Sequence, residues 1–190
     1  MHYLGDMATQ ARDRLVRAAE ELFYSEGIRA VGVERLLSAS GVGRASFYRH
    51  FSSKDDLVVT IVRGYGTRWK QWMADEVAAR GGEPMAVFDA LADQHAAPEF
   101  RGCASINAMV EAADPASAAH RVAAENKVVV IDYLDELLES AGYREHRALA
   151  EQFMQLIDGA TVTALRERSR EPARRAGEMA RLLLDAADKR

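Results

Sequence analysis

Hydrogen-bond donors crowd one short stretch of this chain. Arg44, Ser46, Tyr48, Arg49, His50 and Lys54 bring guanidinium, hydroxyl, imidazole and ammonium groups together. These groups bond phosphate oxygens or the edges of bases. Arg44 is the best candidate for a bidentate contact to guanine, and it serves equally well as a phosphate clamp. Tyr48 can bond a phosphate, or stand as a core aromatic with a wet hydroxyl. Between Arg35 and Lys54 the basic residues Arg35, Arg44, Arg49 and Lys54 meet no acid, although the whole chain carries a net charge of −4. Polyanions respond to the local field, so a basic patch on an acidic body can still bind nucleic acid. The alternative is an ordinary solvated helix face.

Positioning these groups requires short helices. Leu15, Ala19, Leu22 and Phe23 recur with a 3.6-residue period, which predicts an amphipathic helix over 8–26 stopped by Gly27. A short helix over 33–40 with Leu36 and Leu37 inward, a turn at Gly41, and a second short helix over 44–51 with Phe47 and Phe51 inward make a helix-turn-helix. Ser52 and Ser53, followed by Asp55 and Asp56, predict the capped start of a long helix over 54–79. Gly64 and Gly66 within it predict a bend or a close backbone contact, because each costs about 1 kcal/mol against alanine. Further helices are expected over 84–97, 103–112, 114–141 (with Asp114-Pro115 as cap and first position), 144–168 and 172 to the end. The fold class is all-α.

The pattern then becomes specific. Ala18-Ala19-Glu20-Glu21-Leu22-Phe23 with Gly27, and Gly41-Val42-Gly43-Arg44-Ala45-Ser46-Phe47-Tyr48-Arg49-His50-Phe51 followed by Ser53-Lys54 and Leu57, resemble the head of TetR-family transcriptional regulators across about residues 10–60. The resemblance implies a DNA-binding domain over 8–53 and a helical ligand-binding and dimerisation domain over 54–190. It implies that Tyr48 and Lys54 grip phosphates with His50 beside them, and that Arg44, Ala45 and Ser46 face bases or the adjacent backbone. The partners it implies are double-stranded operator DNA, a second copy of the chain and an unidentified small-molecule effector. Gly32 and Gly43 depart from the family pattern, standing where hydroxyl caps are common, and Leu37 replaces a common alanine.

Beyond residue 54 the reading rests on composition. Trp69 and Trp72 share a helix face with Tyr65 and Met73, and Phe88, Phe100, Cys103, Ile106, Met109 and Tyr133 could complete an apolar pocket, with His95 and Asn107 as polar contacts. Plain core packing explains any one of these residues equally well. Leu149, Phe153, Leu156, Ala160 and Ala164 form one stripe and Met179, Leu182, Leu183 and Ala186 another, which predicts a four-helix bundle across a two-fold axis.

Several function classes are excluded. His95 with Asp89 or Asp93 makes no metal set, because only one imidazole is nearby. Cys103, the only cysteine, allows no internal disulfide and lacks a motif to orient a base, so neither a cofactor nor catalysis is expected. No stretch reaches the roughly 18–20 apolar residues of a membrane span, and the acidic start does not read as a signal peptide, so a cytoplasmic protein is expected. A ligand-responsive repressor, an effector-independent architectural protein and a helical enzyme or carrier with a vestigial head compete, and the residues over 44–54 disfavour the last. Activation in place of repression stays open.

Overall fold

A computed structural model describes residues 3–189, with side chains from residue 10. Among the described residues the chain folds into nine helices: α1 (Tyr3–Glu26), α2 (Val33–Ser40), α3 (Arg44–His50), α4 (Lys54–Ala79), α5 (Ala86–His95), α6 (Ala104–Ala112), α7 (Ala118–Ser140), α8 (His146–Glu167) and α9 (Glu171–Ala186). Gly41 ends α2 in the left-handed region (φ 64°), where its N–H bonds the Leu37 carbonyl. Such a residue ends a helix without the Cβ clash of an L side chain. Ser53 caps α4, its hydroxyl accepting the Asp56 N–H at 3.1 Å. Neither Gly32 nor Gly43 supplies a side-chain cap to α2 or α3. α7 starts later than Asp114-Pro115 predicts. Asp114 accepts the Ala116 N–H in a local turn instead, and Ser117 takes the capping role by accepting the His120 N–H.

Two apolar cores meet within α4. The first packs Leu15, Ala19 and Phe23 of α1, Leu36 of α2 and Phe47 of α3 against Leu57, Val58, Ile61 and Val62 of α4, and continues to Ala108 of α6 and Val122 and Ala123 of α7. The second packs Met73 and Val77 of α4 with α5, α7, α8 and α9. The first turns of α4 therefore belong to the core of the N-terminal head. The expected partner stripe on α8 is largely internal. Leu149, Phe153, Ala160 and Ala164 are buried within the subunit, because that face of α8 lies on α7 and α9. Leu156 is half-buried, and the exposed apolar side chains of this pair of helices are Val162 and Leu165 on α8 and Met179 and Leu182 on α9.

α4 runs unbroken through both interior glycines, and the close contact occurs at Gly66. A Cβ there would lie 2.5 Å from Asn126 Oδ1 and 2.9 Å from Asn126 Cβ. Asn126 cannot give way: it is buried, and its amide donates to the Val62 carbonyl at 2.7 Å and to Ser105 Oγ at 3.3 Å. At Gly64 the nearest neighbour is only the far end of the half-exposed Arg68 side chain, which can shift. Gly66→Ala is therefore expected to destabilise the fold by about 1–3 kcal/mol in urea unfolding. Gly64→Ala should stay within about 1 kcal/mol of the parent, since helix propensity favours alanine. Equal effects of the two substitutions would contradict the contact.

Candidate nucleic-acid interface and cavity

α3 sorts its side chains by period. Phe47 is turned into the head core, while Arg44, Ala45, Tyr48 and Arg49 are exposed and Ser46, His50 and Lys54 are half-buried. Tyr48 is 49% exposed and stands edge-on to Phe47 at 5.1 Å between centroids, so its ring is anchored and its hydroxyl is free to solvent. Arg44 is ion-paired with Glu34 of α2. The Lys54 ammonium lies 6.0 Å from the centre of the Phe23 ring, within reach of a weak cation–π contact. His50 differs from its neighbours: its Nε2 is buried and meets no partner among the described residues.

Behind the head lies a cavity of about 320 Å³, bounded by α4, α5, α6, α7 and α8 with one residue from α1. Of the expected pocket residues, Tyr65, Trp69, Trp72, Phe100 and Cys103 line it. The two tryptophans touch, with ring centroids 6.1 Å apart. The others lie elsewhere. Met73, Phe88 and Tyr133 are solid core, Phe88 packing edge-on against Phe153 at 5.2 Å. Met109 packs on the head core, and Ile106 is half-buried outside the wall. Asn107 spends its amide on the Arg101 carbonyl at 3.0 Å, fixing the loop before α6. His95 sits just behind the wall, its Nε2 3.3 Å from Thr161 Oγ1 and its ring 4.8 Å from that of Phe100.

Sequence reasoning missed Tyr24, Asn126, Lys127, Asp158 and Thr161 of the wall. Asn126 carried a signal: it is a polar residue set in the apolar stripe Val122, Ala123, Val130, Tyr133 and Leu134 of α7. Tyr24 belongs to α1, yet it lines the cavity. Its hydroxyl donates to the Gly102 carbonyl at 3.3 Å and accepts the Arg101 N–H at 2.9 Å. Burial pushes the phenol of Tyr24 upward and that of Tyr65 up to about 12, so both stay protonated. α6 makes a second link to the head. Ser105 at its start lines the cavity, and Glu111 near its end accepts the Arg29 N–H at 2.8 Å.

Burial lowers the His95 imidazole to about 4. Its Nδ1 has no partner among the described residues to favour a proton. The unfolded chain takes up a proton near the ordinary value of about 6.5 while the folded chain does not, so stability is lost as pH falls from 6.5 towards 4. Acidification from pH 7 to pH 5 should cost about 2 kcal/mol through this residue. His95→Phe should flatten that slope in parallel denaturation curves. An unchanged slope would show that His95 does not set it.

The head resembles known proteins in sequence and the whole chain resembles them in fold. The family model for bacterial regulatory proteins of the tetR family matches residues 15–61. A TetR-family transcriptional regulator from Streptomyces coelicolor is 31% identical, with 90% of this chain and 94% of that one covered at a TM-score of 0.73. A TetR transcriptional regulator from Streptomyces avermitilis is 30% identical, with 95% and 99% covered at a TM-score of 0.77. The HTH-type transcriptional regulator TcmR of Streptomyces glaucescens is 39% identical over 53 residues, which are 28% of this chain and 24% of TcmR. The match to another curated relative, an HTH-type transcriptional regulator of Lactococcus lactis, spans 54% of that protein. Head, body and relatives together define a helix-turn-helix transcriptional regulator, not an enzyme. The chain belongs to the TetR family of transcriptional regulators. No helix among the described residues is long and apolar enough to cross a membrane.

Proposed function

We propose that this protein is a cytoplasmic, ligand-responsive repressor that binds operator DNA as a homodimer and releases it when a small molecule fills the cavity. The head, residues 8–53, reads DNA, with α3 in the major groove and α2 across the backbone. Tyr48 and Lys54 hold phosphates, Arg44 reads a base, and Ala45, Ser46 and Arg49 lie along the same exposed surface. Residues 54–190 bind the effector and the second subunit.

The observation that carries this reading is Tyr24, which is at once a residue of the head and a piece of the cavity wall. An occupant that displaces the Phe100–Cys103 loop acts on α1 through the Tyr24 hydroxyl and on the α1–α2 loop through Glu111. A ligand can shift the DNA-binding state only by its differential affinity for the two states, typically worth about 1–3 kcal/mol. DNA selected from a random pool supplies the operator, and a ligand library supplies compounds that release it. Tyr24→Phe removes both hydrogen bonds to the Arg101–Gly102 backbone and should keep operator binding but weaken the ligand's effect by about tenfold or more, at roughly 0.5–1.5 kcal/mol for each bond. Ligands that bind the protein yet leave operator affinity untouched would defeat the proposal.

A further inference from the structure

Charge at the cavity wall occurs in pairs. Lys127 of α7 and Asp158 of α8 face each other at 2.6 Å, and Arg68 of α4 is held at 2.8 Å by Glu20 of α1. No other residue of the wall is charged. The Lys127–Asp158 pair is partly withdrawn from water, with the lysine side chain 18% exposed and the aspartate 35%. A charged occupant would have to break that pair or stay unpaired beside it, and either is costly where solvent is scarce. A neutral occupant meets no such penalty.

The rest of the wall selects shape. The rings of Tyr24, Tyr65, Trp69, Trp72 and Phe100 share it with aliphatic side chains such as Leu91 and Val130. Aromatic edges and faces favour a flat ring system placed offset or edge-on between them. A volume of about 320 Å³ lies at the small end of ordinary ligand sites, enough for a two-ring compound. Tyr65 adds a polar anchor, since its hydroxyl has no hydrogen-bond partner among the described residues and remains a donor at neutral pH. The geometry points to an uncharged aromatic compound of about two rings, carrying a hydrogen-bond acceptor for Tyr65, as the occupant of this cavity, with the Lys127–Asp158 pair excluding ions. This rests on the effector reading above but is measurable without DNA.

The test compares biphenyl-4-methanol, biphenyl-4-carboxylate and biphenyl-4-methylammonium, which share one shape and differ in charge. Calorimetry gives the affinities, and tryptophan emission locates the site, because the only two tryptophans of the chain both line the cavity. The alcohol should bind at least about tenfold tighter than either ion and change the emission. Asp158→Asn frees the lysine and should improve the carboxylate relative to the alcohol. Lys127→Met frees the aspartate and should improve the ammonium compound. A merely structural pair would not give these opposite shifts. The inference is overturned if an ion matches the alcohol in the parent protein, if none of the three binds, if binding leaves the emission unchanged, or if the two substitutions move both ions the same way. If the alcohol binds as expected but does not release operator DNA, the inference stands and the effector reading falls.

Discussion

Leu182→Glu should split the proposed dimer into monomers and lower operator affinity by at least about a hundredfold, because two linked half-sites then bind as separate ones. Leu182 is 70% exposed on α9, and Met179, one turn earlier, is 53% exposed. Val162 of α8 is 54% exposed, and a shallow groove between α8 and α9 is lined by Leu156, Gly159, Thr163 and Met179. Apolar side chains grouped in this way mark an interaction surface, where scattered ones would need no explanation. A two-fold interface places each residue against the partner's copy of the same patch, so the substitution introduces its charge twice into one dry contact. Light scattering at micromolar concentration reads the outcome. Val110→Glu alters a side chain as exposed as Leu182, 73%, but on α6, and should leave the mass dimeric. A dimeric mass for Leu182→Glu, or a monomeric one for Val110→Glu, would mean that the interface lies elsewhere.

The face assigned to that dimer shows where periodicity stops being informative. Leu149, Phe153, Ala160 and Ala164 announce an apolar face on α8, but a period does not say whether the face meets a second subunit or the same one. It meets α7 and α9 of the same chain. The outward face carries Gln155, Leu156, Gly159, Val162 and Thr163, too mixed to register as a stripe. Local signals fared better where geometry is set by a single residue. Gly41 in the left-handed region and the Ser53 cap place α2 and α4 at the residues the sequence predicts. At Asp114 and Ser117 two capping side chains compete within four residues: Asp114 closes a local turn at Ala116 and Ser117 caps α7.

The cavity divides in the same way. Tyr65, Trp69 and Trp72 follow one face of α4 and are legible as a group, whereas Met73, one position on, turns into solid core. Lys127 and Asp158 are far apart in sequence and have no motif. They become a pair only when α7 lies on α8. His50 adds a detail at the head that the motif does not carry: the resemblance sets it beside Tyr48 and Lys54, and its Nε2 is buried with no partner among the described residues.

Arg44→Ala should lower operator affinity by about 1–3 kcal/mol per contact and relax preference at one base pair in each half-site. Arg44 stands at the first turn of α3 with its guanidinium exposed. In the free protein it pairs with Glu34, and both side chains are more than half exposed, 60% and 73%. A pair so open to water holds the arginine weakly, so the Glu34 carboxylate yields readily to a guanine edge or a phosphate. Lys54 and Tyr48 provide the contrast. Lys54→Ala should weaken all DNA sequences alike and reduce the salt slope by about one unit per subunit, the counterion share of one phosphate. Tyr48→Phe should cost about 1 kcal/mol if the exposed hydroxyl bonds a phosphate and almost nothing if the ring only packs on Phe47. The two half-sites should lie one helical turn apart or a multiple of it, since symmetric heads must meet one face of the duplex. Competition binding over a set of altered operators at several salt concentrations separates these effects. Equal losses for every operator under Arg44→Ala would make Arg44 a phosphate clamp. If none of the three substitutions changes binding, DNA is read by another surface and the proposed role of α3 is lost.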